Sequence, residues 1–321
     1  IQMSMPILYN IYKRLIMDLK ELEYILAVAE EGSISKAADR LYLAQSSLSQ
    51  YLARYEAELG VKLFRRSSGG VRTTAAGDLF LRNARQMLHQ YHQVRKQLTD
   101  LDAPMEGKIH FGISTFRGAY LFPKAMRLFR NETPTVDVIL HEHDSIVLQR
   151  KIAAGELDLA LVAFREDQWR MQGKLLMRDE VLLVANRDHP VMEYVQEGNG
   201  GPNRPWVEIS DIAHLDFLLS SRSALLGSIA QQKFEKLGVK PRYVCGTQTG
   251  SMSAALARRG VGIAFTYRSC IEESRDVIYL SIGKSRCYVN LALIYPQEGY
   301  RSRAIRAFEE ALCRVLATEV F

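Results

Sequence analysis

Long apolar runs are absent from the 321 residues: nowhere do about 18 hydrophobic side chains follow one another, the length a helix needs to cross a bilayer. No secretory layout of basic, apolar and small residues opens the chain either, so a cytoplasmic protein with no membrane contact is expected. Cysteine is scarce. Cys245, Cys270, Cys287 and Cys313 show no CxxC or ligand-like spacing, which argues against a disulfide framework or zinc site and leaves reduced, mostly buried thiols. His141 and His143 alternate along a strand-like run and share a face, but no third ligand of suitable spacing accompanies them, so no metal is expected. Catalytic signatures are also missing. Without a P-loop, a GxSxG elbow, an HExxH pair or a GxGxxG opening a helix, neither an enzyme nor a cofactor is expected.

What is present is enough chain for two or three domains, with 47% apolar residues and a net charge of +6. The charge is unevenly placed. From Gly32 to Lys96, eleven basic residues face only Asp39, Glu56, Glu58 and Asp78, so the positive excess sits in one early segment and points to an anionic partner.

Residues 1–16 show no link to the helical pattern after them, and Met17 reads as the natural start. Apolar residues Leu22, Ile25, Leu26 and Ala29 then form a helical stripe that stops at Gly32. Ser33 caps a second short helix, Ile34 to Leu41, with Ala37 and Ala38 small enough for close packing. The third helix, Gln45 to Leu59, is two-faced. Leu48, Leu52, Tyr55 and Leu59 make a core stripe, while Gln45, Ser46, Ser49, Gln50, Ala53 and Arg54 lie away from it. Amide, hydroxyl and guanidinium groups on one helix face suit base edges and phosphates in a major groove. Val61 to Thr74 reads as a hairpin wing with Arg65, Arg66 and Arg72 placed for phosphates or a minor groove.

The run AVAEEGSISKAADRLYLAQSSLSQYLARYEAELGVKLFRRSSGGVRTTAAG resembles the LysR-type DNA-binding domain along its whole length: GS before AA, the Q-x-x-[VL]-S block, LG-V-x-LF-R and the T-x-AG ending. Four positions depart from that pattern: Ala44 for a Ser or Thr cap, Ser46 for proline, and Tyr55 and Thr73 for leucines. The resemblance implies an all-α winged helix-turn-helix over 17–74, with DNA contacts from Ser35, Lys36, Gln45, Ser46, Ser47, Ser49, Gln50, Arg54, Arg65, Arg66, Arg72 and Thr74. Next, Phe80, Ala84, Met87, Tyr91, Val94, Leu98 and Leu101 recur at alternating spacings of 4 and 3, the rhythm of a coiled-coil seam, so 75–101 is expected to be a linker helix that joins two copies. A dimer would set two recognition helices on two half-sites of double-stranded operator DNA.

Residues 102–106, with Pro104, read as a hinge, after which strands and helices alternate as in an α/β domain with a parallel sheet. Strands are expected at Lys108–Ser114, Val136–Glu142, Leu157–Ala163, Val181–Asn186, Phe217–Ser220, Arg242–Gly246, Gly262–Thr266 and Tyr288–Tyr295. Helices are expected at Tyr120–Arg130, Ser145–Ala154, Gly227–Leu237, Ser251–Arg259 and Ser302–Thr318, and Glu193–Trp206 reads as a long loop. AAGELDLALV, RDHPV and ARRGVGIAF resemble the family's effector domain, which implies a two-lobed, periplasmic-binding-protein-like fold over 107–321: lobe I at 107–180 and 284–321, lobe II at 181–283.

Ligands of open α/β lobes bind beyond the carboxyl ends of the strands. The residues there are Ser114, Thr115 and Phe116; His143, Asp144 and Ser145; Phe164 and Arg165; Ser221, Arg222 and Ser223; Thr247, Gln248 and Thr249; and Thr266 with Tyr267. By resemblance they match the family's inducer cleft, and hydroxyls with an arginine or two would suit a small carboxylate. The implied protein is a homodimer or homotetramer that holds an operator and lets a small-molecule effector alter RNA polymerase access. Two other readings stand beside it: a solute-binding sensor, at odds with residues 17–101, and a cysteine-based redox regulator on the same fold.

Overall fold

The computed structural model describes residues 19–67, 70–102, 105–165, 173–198, 204–247, 249–297 and 299–319. It divides into two compact units, one built on residues up to Leu98 and the other on residues from Thr99 on.

The first unit opens with α1 (Leu19–Glu31), α2 (Ile34–Arg40) and α3 (Gln45–Leu59), followed by a hairpin of β1 (Phe64–Ser67) and β2 (Gly70–Thr73) and by α4 (Ala75–Asp102). Leu22, Ile25, Val28, Ala37, Ala38, Leu48, Leu52 and Tyr55 form its core, joined by Leu63 and by Leu81, Ala84 and Leu88 of α4. Ser33 caps α2 by accepting the Lys36 N–H, whereas Ala44 leaves α3 without a side-chain cap. The expected core stripe of α3 fails at its last member: Leu59 is 41% exposed, and Glu56 is buried instead.

Glu56 is what holds the wing to the helices. Its Oε1 accepts the backbone N–H groups of Leu63 (2.9 Å) and Phe64 (3.0 Å), and its Oε2 takes the Lys62 ammonium at 2.8 Å. The second strand is fixed at the same base by Thr74, whose hydroxyl donates to the Lys62 carbonyl at 2.6 Å and accepts the Gly77 N–H at 3.0 Å, starting α4. Gly77 has to lack a side chain, because a Cβ there would stand 2.1 Å from the Leu63 carbonyl oxygen. The T-x-AG ending is therefore a contact between helix start and wing base.

The expected seam of α4 divides in two. Ala84 is buried and Phe80 half-buried against the first unit's core, while Met87, Tyr91, Val94 and Leu98 are 42–63% exposed. Leu101 lies outside the residues whose side chains are described.

The second unit is an α/β domain of two lobes sharing one sheet, ten-stranded among the described residues. Lobe I carries β3 (Gly107–Ile113), α5 (Thr115–Glu132), β4 (Val136–Glu142), α6 (Ser145–Ala153) and β5 (Leu159–Phe164), with β12 (Tyr288–Ile294) and α10 (Arg303–Glu319) returning to complete it. Lobe II carries β7 (Trp206–Val207), α7 (Ile209–Ile212), β8 (Asp216–Ser220), α8 (Leu225–Leu237), β9 (Arg242–Thr247), α9 (Gly250–Arg258), β10 (Ile263–Tyr267) and β11 (Val277–Ile282). β6 (Gly173–Asn186) belongs to both, pairing with β12 through residue 180 and with β10 and β11 from residue 181, so the sheet runs β4-β3-β5-β12-β6-β10-β8-β9, with β11 on the other edge of the second half of β6 and β7 beyond it.

The sequence reading misses β11 altogether and the first half of β6, and it begins α5 five residues late at Tyr120. VIYLSI is buried at every position and so lacks the alternation that marks a strand with one wet face. Among the described residues no helix is long and apolar enough to cross a membrane.

Burial alone would raise the Glu56 carboxyl, but the Lys62 ammonium and the two backbone donors outweigh it and hold the group below its ordinary value. A lowered carboxyl contributes stability that is present above the unfolded value of about 4.3 and is lost as pH falls through the folded value. Glu56→Gln should thus destabilise the first unit by about 1–3 kcal/mol at neutral pH, from donors left poorly paired. In urea unfolding from pH 7 to pH 3 the gap to the parent should close with acid; a pH-independent gap would refute the ionic part of this anchor.

Candidate functional site: an exposed helix face and an interlobe cleft

In the first unit, α3 turns its polar residues outward. Gln45, Ser46, Ser47 and Gln50 are exposed and Ser49 half-buried, behind Leu48, Leu52 and Tyr55 in the core. Ser35 and Lys36, on the first turn of α2, are exposed as well. Arg54 stays accessible at 64% although it lies 3.8 Å from both Glu21 and Glu58 and over the Tyr51 ring. Arg65 and Arg72 sit opposite one another in the hairpin register, both exposed; the Arg66 side chain lies outside the described set. Thr74, half-buried, is committed to the wing and the start of α4.

In the second unit, strand order decides where a ligand can sit. From β3 the chain passes to β4 on one side and then crosses back to β5 on the other, and from β8 it passes to β9 on one side and then crosses back to β10 on the other. Each lobe therefore has a switch point, where adjacent crossovers diverge and open a crevice beyond the strand ends. Both crevices contribute to one small cavity of about 90 Å³, lined from lobe I by Ser114–Arg117, Asp144, Ser145 and Ala163 and from lobe II by Ser220, Ala224–Leu226, Thr249, Gly250 and Tyr267.

Four helix starts meet there: those of α5, α6, α8 and α9. Ser114, Ala224 and Thr249 precede α5, α8 and α9 without making a side-chain cap. First-turn N–H groups have no partner within their helix and carry the positive end of its dipole, so four converging starts favour a negative group. Ser145 is fixed by accepting the Ala163 N–H at 3.1 Å, which ties α6 to β5.

Of the residues expected at the strand ends, the cavity gathers Ser114, Thr115, Phe116, Asp144, Ser145, Thr249 and Tyr267. The others lie elsewhere. His143 is exposed beyond β4; Phe164 is buried in a satellite core of α6, β5 and β12; and Thr266 is fully buried in β10, its hydroxyl without a partner in the described structure. Arg165 points to α8, donating to Gln232 at 2.5 Å and Ser228 at 2.9 Å, and Ser221 pairs with Ser223 at 2.9 Å next to exposed Arg222. Gln248 and the Thr247 side chain lie outside the described residues.

Sequence reasoning missed Arg117. It lines the cleft yet is almost wholly buried, donating to Asp179 through Nη2 at 2.9 Å and Nε at 3.3 Å, with its guanidinium 3.6 Å from the centre of the Tyr267 ring. Asp179, on β6 just before the strand enters lobe II, also accepts the Ser269 N–H at 3.0 Å and hydroxyl at 2.7 Å. Burial works against the Arg117 charge, but its surroundings raise its pKa overall and it stays protonated. Burial also pushes the Tyr267 hydroxyl and the neighbouring Cys270 thiol up to about 12. A signal existed: an arginine in the first turn of a helix opposes the dipole, a misfit that a buried carboxylate resolves.

Comparison with known proteins agrees with both halves. Residues 19–78 match a family model described as a bacterial regulatory helix-turn-helix protein of the lysR family, and residues 102–317 match the LysR substrate binding domain. The HTH-type transcriptional regulator YcgK of Bacillus subtilis is 28% identical over 305 residues, 92% of this chain and 93% of that protein. A cysteine-to-aspartate variant of full-length OxyR from Pseudomonas aeruginosa superposes with a TM-score of 0.70 at 21% identity, covering 92% of this chain and 95% of that one. Full-length CbnR, solved with its target DNA, gives 0.61 at 21% identity over 93% and 100% of the two chains. At that identity the two structures speak for the fold.

Removing the charge from Asp179 would strand the buried Arg117 guanidinium. Asp179→Asn should cost about 3–5 kcal/mol, the usual penalty for breaking a buried pair. Thermal unfolding should show a markedly lower midpoint for the second unit; an unchanged midpoint would mean that the pair does not hold the lobes.

Proposed function

The chain belongs to the LysR family of DNA-binding transcriptional regulators, and from that premise we propose how its own residues divide the work. The polar face of α3, exposed while its apolar face is buried, carries the reading: Gln45, Ser46, Ser49 and Gln50 contact base edges. Ser35, Lys36, Ser47, Arg54, Arg65, Arg66, Arg72 and Thr74 serve the phosphate backbone of the operator. The exposed seam of Met87, Tyr91, Val94 and Leu98 on α4 meets the same seam of a second copy, giving a homodimer that can pair again into a homotetramer.

The cleft takes a small carboxylate, for which the convergence of four helix starts, three of them without a side-chain cap, is the supporting observation. Asp144 on its wall adds an acceptor, so a carboxylate carrying a hydrogen-bond donor fits best. An effector that prefers one placement of the two lobes shifts the populations of that placement and with them the spacing of the DNA-binding units, hence RNA polymerase access in the cytoplasm. The solute-binding alternative leaves the N-terminal unit unexplained. The cysteine-based alternative meets buried chemistry: Cys270 is inaccessible with a raised pKa, and burial also raises Cys287 and Cys313.

Reading and positioning separate experimentally. Gln50→Ala should cost about 1–3 kcal/mol on the cognate site and little on scrambled DNA, whereas Arg72→Ala should weaken both and flatten the slope of log K against log salt by about 0.9. Fluorescence anisotropy on both duplexes over a salt series distinguishes them, and equal losses for Gln50→Ala on the two sequences would remove it from the readout set. Val94→Asp would place a charge in the proposed seam and should dissociate the dimer in analytical ultracentrifugation. A variant that sediments like the parent would show that α4 is not the contact.

A further inference from the structure

A second, larger cavity of about 390 Å³ lies apart from the cleft, within the size range of small-molecule sites. Its charged lining is entirely cationic: Arg165 at the end of β5, Arg178 on β6, Lys233 and Lys236 on α8, and Arg286 in the turn between β11 and β12. No carboxylate lines it among the described residues. Five like charges around one concavity repel one another and concentrate a positive potential there, an arrangement stabilised by a bound anion.

Two details set the cluster apart from a solvated surface. Arg286 holds a left-handed backbone (φ 55°), a conformation that costs a non-glycine residue and recurs at ligand clamps. Its Nε lies 4.0 Å from the buried Glu180 carboxylate, a single acidic group beside the five basic ones. Arg178 lies over the Tyr288 ring at 4.6 Å, which orients a planar donor on the cavity wall.

We propose that this cavity binds a compact anion carrying two or more negative charges, a phosphate ester or a polycarboxylate, at a site separate from the interlobe cleft. Arg165 makes the site consequential. Its guanidinium clasps lobe I to lobe II through Ser228 and Gln232 of α8, so an anion drawing on Arg165, Lys233 and Lys236 together acts on the same lobe-to-lobe contact. The proposal is independent of what the cleft binds, and its failure leaves that reading untouched.

The test is calorimetric titration of the full chain with pyrophosphate and with citrate, chloride holding the ionic strength constant, and with acetate as the singly charged control. One saturable event per chain is expected for pyrophosphate or citrate and none for acetate, and the stronger of the two identifies the phosphate or the carboxylate form of the ligand. Lys233→Ala combined with Lys236→Ala should weaken that binding at least tenfold. So should Arg286→Gly, which suits the left-handed backbone while removing the charge; circular dichroism verifies that both variants are folded. Saturable binding that survives in both variants would belong to the cleft and overturn the proposal, as would the absence of saturable binding by either polyanion.

Discussion

The second unit hangs on the side chain of Asp179. A carboxylate with no solvent exposure is tolerated only when its lone pairs are filled, and here two donors come from Arg117 of lobe I and two from Ser269, which follows β10 in lobe II. The strand bearing Asp179 runs through both lobes, so one ion carries the register of β6, the start of α5 and the end of β10 together. The cleft lies over this cluster. Arg117 and Tyr267 contribute at once to its lining and to the bonds that fix its walls, so a ligand there touches the groups on which the lobes are joined.

The first unit uses a similar device on a smaller scale. Glu56 gives one carboxylate to the helix side of the wing, and Thr74 with Gly77 closes the other side, while Arg65 and Arg72 stay exposed. Apart from Thr74, the groups proposed to meet DNA are thereby separate from the structural ones, so they can vary while the frame under them stays fixed.

Local periodicity made much of this legible. The buried and exposed faces of α3 follow from a 3.6-residue repeat, and the cap at Ser33 and the break at Gly32 follow from short-range chemistry. What escaped depends on partners distant in sequence. Nothing local sets Glu56 apart until β1 folds back on it, or Arg117 until Asp179 is placed beside it, and Arg165 reads as a cleft residue until α8 takes its guanidinium. β11 escaped for another reason: a strand covered on both faces has no alternation to betray it. Leu59 erred in the opposite sense, since the apolar repeat of α3 continues one step past the end of the core it packs on.

The place of β12 in the sheet bears on how the chain can be made. It inserts between β5 and β6 and pairs with both, yet it is synthesised after all of lobe II. From Phe164 until Tyr288 leaves the ribosome, β5 must wait with one hydrogen-bonding edge open and every side chain apolar, the kind of edge that invites pairing with another chain. Lobe II can close on itself during that interval, but lobe I cannot. The nascent regulator therefore passes through a stage with a finished second lobe and an unsealed first one, and its exposure to chaperones and to aggregation is greatest there.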